Sequence, residues 1–96
     1  MSKLIYNKIE PFNVINSIMT LYEQGKFHSI LKRANQLIDA YPNTSELYQI
    51  LGITSFKTGN TKVAIKYFRK LIELCPSLPY AYSYLGNALL DLEEYE

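Results

Sequence analysis

The sequence contains few of the residues that metal sites and covalent catalysis require. It has one cysteine, Cys75, and one histidine, His28, among 96 residues. One cysteine excludes an intramolecular disulfide and a zinc site built from several cysteines, and one histidine leaves little for a histidine-based metal site or a catalytic triad. The sequence also has no glycine-rich phosphate loop, no metal-ligand spacing and no nucleophile elbow. We therefore expect a protein that is not an enzyme and that has no cofactor and no metal.

Charge of one sign and long apolar runs are also scarce. Ten Lys and Arg against nine Asp and Glu give a net charge of +1, without the concentrated basic patch that nucleic-acid-binding proteins show. No apolar run approaches the ~20 residues of a membrane-spanning helix, and the first residues contain no hydrophobic signal segment. We expect a cytoplasmic protein that binds neither nucleic acid nor membrane. Hydrophobic residues make up 48% of the chain, which is enough for a packed core.

The sequence is similar to itself after a shift of 34 residues. Nine residues are identical to the residue 34 positions later: Thr20/Thr54, Gly25/Gly59, Lys32/Lys66, Leu37/Leu71, Ile38/Ile72, Pro42/Pro76, Tyr48/Tyr82, Leu51/Leu85 and Gly52/Gly86. The first glycine pair and the proline pair mark the ends of segments, and the apolar pairs keep helical spacing within them. Because a fixed period of this length is typical of repeat proteins, we expect a stack of repeated structural units.

Each period predicts two helices separated by a turn. Apolar residues recur every three or four positions in five segments, 14–22, 27–41, 47–56, 63–74 and 82–92. The first and third segments are followed by Gly25 and Gly59, and the second and fourth by Pro42 and Pro76, all of which favour the end of a helix. No segment shows the two-residue alternation of a half-buried strand. The pattern therefore predicts an all-α protein of about five helices, with short connections that make each helix antiparallel to the one before it.

The turn residues and the aromatic positions resemble the tetratricopeptide repeat (TPR) family. The second period carries most of the family pattern, at Tyr48, Leu51, Gly52, Gly59, Ala64, Phe68 and Pro76. The first period is degenerate, with Val14, Ser17 and Ile18 where the family has an aromatic residue, Leu and Gly. The resemblance implies a TPR-type α-α superhelix, a right-handed solenoid of antiparallel helix pairs, with about two and a half repeats. It also implies that Gly52 allows two helices to approach closely where Ala64 faces it.

The same pattern divides the chain into four parts. Residues 1–10 are expected to be an N-terminal extension, 11–44 the degenerate first TPR, 45–78 the second TPR and 79–96 the first helix of an incomplete third TPR. Because the second helix of the third repeat is missing, we expect either a fragment of a longer array or a last helix that acts as a cap. Cap helices usually present a polar outer face, which favours the fragment.

By resemblance, the first helices of stacked TPR units line a concave groove. The residues that would face it here are mostly apolar or aromatic: Phe12, Ile15, Met19, Tyr22, Gln49, Ile53, Phe56, Tyr80 and Asn87. Such a wall suits a peptide or an amphipathic helix with hydrophobic anchors, and we expect a protein–protein interaction scaffold with a protein or peptide partner. The alternative is that the same residues pack within the chain or between copies of it.

Two further hypotheses concern what surrounds the chain. Tyr82, Leu85 and Leu89 lack the helix that would cover them in a complete third repeat, which predicts a homo-oligomer that associates through the last helix. The chain is alternatively the N-terminal TPR segment of a larger enzyme, by resemblance to bacterial arrays linked to glycosyltransferases or sulfotransferases. A catalytic domain downstream in the same reading frame would support that alternative.

Overall fold

The computed structural model describes residues 3–95, with side chains from Phe12 to Glu94. The described part contains no strand and has six helices: α1 (Lys3–Glu23), α2 (Phe27–Lys32), α3 (Ala34–Ala40), α4 (Ser45–Lys57), α5 (Thr61–Leu74) and α6 (Pro79–Tyr95). The prediction of an all-α fold is therefore confirmed. Since α1 begins at Lys3, it includes most of the expected N-terminal extension, whose side chains lie outside the described part.

The structure has one helix more than predicted, because the predicted second helix is interrupted at Arg33. The backbone N–H of Arg33 donates to the carbonyl of Ile30 at 3.1 Å, a bond of the tighter 3₁₀ type. Arg33 has φ −97° and ψ −2°, which ends α2 and begins α3. No glycine or proline lies between Phe27 and Tyr41, so the sequence carries none of the usual signals for such a break.

The turns that close α1 and α4 repeat each other bond for bond. Gly25 and Gly59 have φ of 74° and 85°, a left-handed conformation that costs glycine little because it has no Cβ. Each glycine N–H donates to the carbonyl three residues back, at 3.0 and 3.2 Å, and the N–H of Lys26 or Asn60 donates five residues back, at 2.9 and 2.8 Å. This is the double hydrogen bond of a Schellman turn. The 34-residue period of the sequence is thus also a period of the structure.

One side-chain hydrogen bond repeats in the same way. The Tyr48 hydroxyl donates to the carbonyl of Pro42 at 2.7 Å, and the Tyr82 hydroxyl donates to that of Pro76 at 2.8 Å. In both cases the tyrosine ties the first turn of a helix to the proline that ends the preceding one. The prolines therefore act as hydrogen-bond acceptors as well as helix ends.

The helices α5 and α6 pack antiparallel. Near the start of α5, the Thr61 hydroxyl donates to Asp91 Oδ2 at 2.7 Å. Further along, the ring of Phe68 stacks on that of Tyr84 with the centroids 5.2 Å apart. Because the partner's number falls as the α5 number rises, the two helices run in opposite directions. α1 and α6 make no contact in the described part of the chain, so the array is open and does not close into a bundle.

The core is a series of clusters that each join neighbouring helices. One contains Ile18, Ile30, Ala34, Leu47, Ile50 and Leu51; a second contains Ala64, Ile65, Phe68 and Ala88; a third contains Tyr48, Leu71 and Ala81. Each fully buried large side chain contributes roughly 1.5–3 kcal/mol relative to exposure. No helix can bury its apolar face alone, so α4 and α5, which have neighbours on both sides, hold most of the fully buried residues.

The close approach at Gly52 involves a different residue from the predicted one. The nearest atoms to a Cβ at position 52 belong to the ring of Phe68, with Cδ1 at 2.6 Å and Cζ at 3.1 Å, rather than to Ala64. Phe68 is 1% exposed and its ring is also stacked on that of Tyr84, so a shift of the ring would disturb both contacts. Gly52 therefore makes room for an aromatic ring, and Ala64 lies beside that ring in the same cluster.

Two glycines at equivalent positions allow a matched test of this contact. We expect Gly52→Ala to lower the free energy of unfolding by about 1–3 kcal/mol because the methyl group overlaps the Phe68 ring. We expect Gly86→Ala to raise it by up to about 1 kcal/mol, because nothing lies within 4 Å of that position and alanine is the better helix former. Urea denaturation of both variants measures the difference. Changes of the same sign would contradict the proposed packing.

The pKa of Tyr67 leads to a prediction of how the stability of the protein changes at alkaline pH. Burial of its phenol, together with the nearby Tyr48, raises the pKa of Tyr67 above its ordinary value of 10.0. Above that value the unfolded chain releases this proton more readily than the folded chain, so the free energy of unfolding falls as pH rises. We expect Tyr67→Phe to lose less free energy of unfolding than the wild type as the pH rises above 10.0, as measured by denaturation at a series of pH values. Equal slopes for the two proteins would show that Tyr67 makes no such contribution.

Candidate functional site

A cavity lies where α4, α5 and α6 meet. It has a volume of about 350 Å³ and is lined by Ile53, Phe56, Lys57, Phe68, Tyr84 and Asn87. Three of the residues predicted from the sequence to face a groove, Ile53, Phe56 and Asn87, are thus brought together around one space. Its volume falls in the lower part of the roughly 300–1,000 Å³ range that ligand pockets occupy. A cavity of this size can hold one large apolar side chain.

The wall of this cavity on the α6 side is aromatic and internally packed. The rings of Phe68 and Tyr84 are stacked, with an angle of 19° between their planes. Tyr80 meets Tyr84 edge to face, with a centroid distance of 5.8 Å and an angle of 72°. Because Phe68 is buried in the core, the stack holds the Tyr84 ring in place. Such a wall offers a large contact area with little side-chain entropy left to lose.

Lys57 of α4 lies between the cavity and α1. Lys57 lines the cavity, and its Nζ lies 6.0 Å from the centroid of the Tyr22 ring, which is the outer limit of a cation–π contact. Tyr22 in turn packs against Phe27 with a centroid distance of 5.3 Å. Tyr22, a predicted groove residue of the first unit, therefore lies next to the rim through Lys57.

A larger and more polar cavity adjoins the first. It has a volume of about 790 Å³, and its lining residues include Phe56, Lys57, Asn60, Thr61 and Asp91. Phe56 and Lys57 line both cavities and so form the ridge between them. The hydrogen bond from Thr61 to Asp91 already occupies one carboxylate oxygen there. The surface thus offers two adjoining pockets, of which the larger is the more polar.

The structure does not gather all the predicted groove residues. Phe12 and Met19 are 68% and 40% exposed, and Ile15 packs against the cluster around Ile18 instead. Gln49 is half-buried and does not line the cavity. Of the predicted residues on α1, only Tyr22 therefore lies beside the rim.

Three lining residues, Lys57, Phe68 and Tyr84, are not among the groove residues named in the sequence analysis. The family pattern assigns Phe68 to the helix–helix contact, and its ring serves that contact and the cavity at once. Tyr84 lies four residues after Tyr80 and three before Asn87, a spacing that places all three on one side of α6. This spacing is the signal that could have identified Tyr84 from the sequence.

The residues predicted to mediate self-association fall into two groups. Tyr82 and Leu89 are 50% and 39% exposed. Leu85 is half-buried and packs against the cluster that contains Ala64 and Phe68. Of the three residues, only Tyr82 and Leu89 are therefore exposed, so the exposed apolar surface is smaller than the sequence pattern suggests.

Metal-ligating side chains are dispersed over the described part of the chain. Between Phe12 and Glu94, no three side chains of His, Cys, Asp or Glu come together in a way that could hold a metal ion. None of the described helices is both long enough and apolar enough to cross a membrane.

Comparison with known proteins gives a partial similarity. No family model matches the chain. Over 61 residues, which are 64% of the chain, the sequence is 43% identical to the protein SGT1 homolog of Oryza sativa subsp. japonica. These residues make up 17% of that protein, so the chain spans about a sixth of the length of the curated relative it matches. The similarity therefore relates the chain to one segment of a much longer protein.

Proposed function

We propose that this protein is a TPR-type interaction module that binds a peptide or an amphipathic helix in the groove beside α4 and α6. The proposed role is binding without catalysis, in the cytoplasm, with a protein as the partner. The cavity between α4, α5 and α6 carries the proposal, because it combines an aromatic wall with a cation, Lys57, and an amide, Asn87, at positions open to a ligand.

The internal repeat supports the TPR-type arrangement. Turn glycines, Schellman hydrogen bonds and the tyrosine–proline contacts all recur after 34 residues, which is the length of a TPR unit. The lack of contact between α1 and α6 within the described residues agrees with an open solenoid, in which each unit touches only its neighbours. In such an array the first helices of successive units lie side by side and leave a groove.

The chemistry of the cavity supports a hydrophobic anchor as the main contact. Ile53, Phe56 and Tyr84 offer apolar surface, and Phe56 is a half-buried ring at the ridge between the two cavities. Anchors that fill well-packed aromatic pockets contribute most of the binding energy in protein interfaces. Around that anchor the Asn87 amide can both donate and accept hydrogen bonds and the Lys57 ammonium can donate them, so that both can orient the ligand backbone.

Truncation of Phe56 tests this proposal. Peptides are first selected from a random library on the wild-type protein, and their Kd is then measured by fluorescence anisotropy. We expect Phe56→Ala to weaken binding about 30-fold or more, equivalent to about 2 kcal/mol, because it removes the ring that both cavities share. Ile53→Ala should weaken binding in the same direction.

Leu90→Ala is the matched control for the loss of an apolar side chain. Leu90 lies on α6, is 64% exposed and does not line either cavity. We expect it to leave Kd within about twofold, since surface truncations away from the contact have small effects. Thermal melts of all variants establish that they are folded. Equal binding by the Phe56→Ala and Leu90→Ala proteins would exclude the groove as the binding site.

A further inference from the structure

A third cavity lies between α1 and α3 and shares no lining residue with the two groove cavities. We call it the α1–α3 cleft, and its volume is about 320 Å³. In the described part of the chain no Cα of α3 lies within 8 Å of a Cα of α1, whereas α2 packs directly against α1. The cleft therefore opens where the break at Arg33 separates α3 from α2.

Three residues that line the α1–α3 cleft are polar where the second repeat unit has core residues. The corresponding residues, 34 positions apart, are Asn13/Leu47, Ser17/Leu51 and Arg33/Tyr67. Both leucines are at most 1% exposed, and the tyrosine packs against their cluster. Positions that fill the core of the second unit therefore carry hydrogen-bonding groups around an open space in the first.

Two aromatic rings are missing at the same place. In the second unit the rings of Tyr48 and Tyr67 pack with their centroids 6.4 Å apart. The first unit has Val14 and Arg33 at these two positions, and both line the cleft. The α1–α3 cleft is thus the space that the first unit leaves where the second holds a pair of rings.

Another contact of the first unit keeps its packing through an exchange of sizes. Gly52 and Phe68, which approach closely in the second unit, correspond to Ile18 and Ala34 in the first. Ile18 and Ala34 are both buried in one cluster, so the large residue has moved to the other helix and the core remains filled. A general loss of the repeat pattern does not account for such an exchange, nor for three polar residues around one cavity.

The polar groups of the α1–α3 cleft have no partner within the described residues. The side chains of Asn13, Ser17, Arg33 and Gln36 line the cleft, are exposed, and make no hydrogen bond or ion pair in that part of the chain. The described residues that line the cleft include no Asp or Glu. The guanidinium of Arg33 is therefore a single positive charge among neutral hydrogen-bonding groups, which favours a ligand with one negative charge.

Apolar surface lies beside these polar groups. Val14 and Leu37 are half-buried and Ile18 is buried, and all three line the cleft. A ligand that fills the cleft thus needs an apolar body as well as its charge. A guanidinium binds a carboxylate through two parallel hydrogen bonds and also stacks on aromatic faces, so a carboxylate on an aromatic body satisfies both parts of the site.

We propose that the α1–α3 cleft is a second binding site, for a small organic carboxylate with a compact aromatic body. Arg33 binds the carboxylate, the three neutral polar residues complete its hydrogen bonds, and the apolar side chains contact the body in place of the missing rings. The site is independent of the peptide groove, because the two have no lining residue in common.

Phenylacetate is the probe for this site, and its neutral isostere phenylacetamide is the matched control ligand. Each is titrated into the ¹⁵N-labelled full chain, and two-dimensional NMR follows the backbone amide signals. We expect phenylacetate to shift the signals of Ser17, Arg33 and Gln36 saturably. Phenylacetamide should bind about fivefold more weakly or worse, because hydrogen bonds to a charged group are the stronger ones. Added salt should weaken the binding of phenylacetate only.

Two arginine variants separate a specific contact from a general effect of charge. We expect Arg33→Gln to weaken phenylacetate binding about fivefold or more. Arg69→Gln removes the same charge from an exposed position of α5 that lines none of the three cavities, and should leave Kd within about twofold. Thermal melts establish that both variants are folded.

Ser17→Leu tests the cleft by filling it. The substitution restores the leucine that the second unit has at position 51, so the variant should lose phenylacetate binding without a fall in melting temperature. Phe56→Ala should bind phenylacetate as the wild type does, which allows the groove proposal and this one to fail separately.

Three results would overturn the proposal. The first is equal binding of phenylacetate and phenylacetamide, which would assign the contact to apolar surface alone. The second is an equal loss in the Arg33→Gln and Arg69→Gln proteins, which would assign it to net charge. The third is the absence of saturable shifts around the cleft, including the case in which the shifts occur at the groove residues Phe56 and Asn87 instead.

Discussion

The whole structure depends on the inability of any single helix to hide its apolar face. The described helices bury apolar side chains against one another, and one close contact places the ring of Phe68 against the backbone at Gly52. A ring can pack there only because position 52 has no side chain. The contact fixes the distance between α4 and α5, and α6 packs against α5 and also touches α4.

That contact also shapes the candidate groove. Phe68 fills the space beside Gly52 with one part of its ring and supports Tyr84 with its face. The aromatic wall is therefore an extension of the core, and its geometry is set by packing that is buried from solvent. A binding surface built in this way is already ordered before a ligand arrives, which lowers the entropic cost of binding.

Residues of the same type have different surroundings in α4 and in α6. In α4 both sides are covered, so its leucines, tyrosine and glycine are buried. In α6 the same residue types occur at positions 34 later, but among the described residues Tyr82 is exposed and nothing lies within 4 Å of a Cβ at Gly86. The same residue pattern is thus buried or exposed according to the helices that lie beside it.

The sequence by itself determined the all-α class, the 34-residue period and the turns at Gly25 and Gly59, because helical periodicity and left-handed glycines are local properties. It did not mark the break at Arg33, where no glycine or proline occurs. Only the tertiary structure decided which groove residues meet. Ile53, Phe56 and Asn87 share a cavity while Phe12, Ile15 and Met19 do not, because the rotation and spacing of one helix against another follow from side-chain packing that no local pattern encodes.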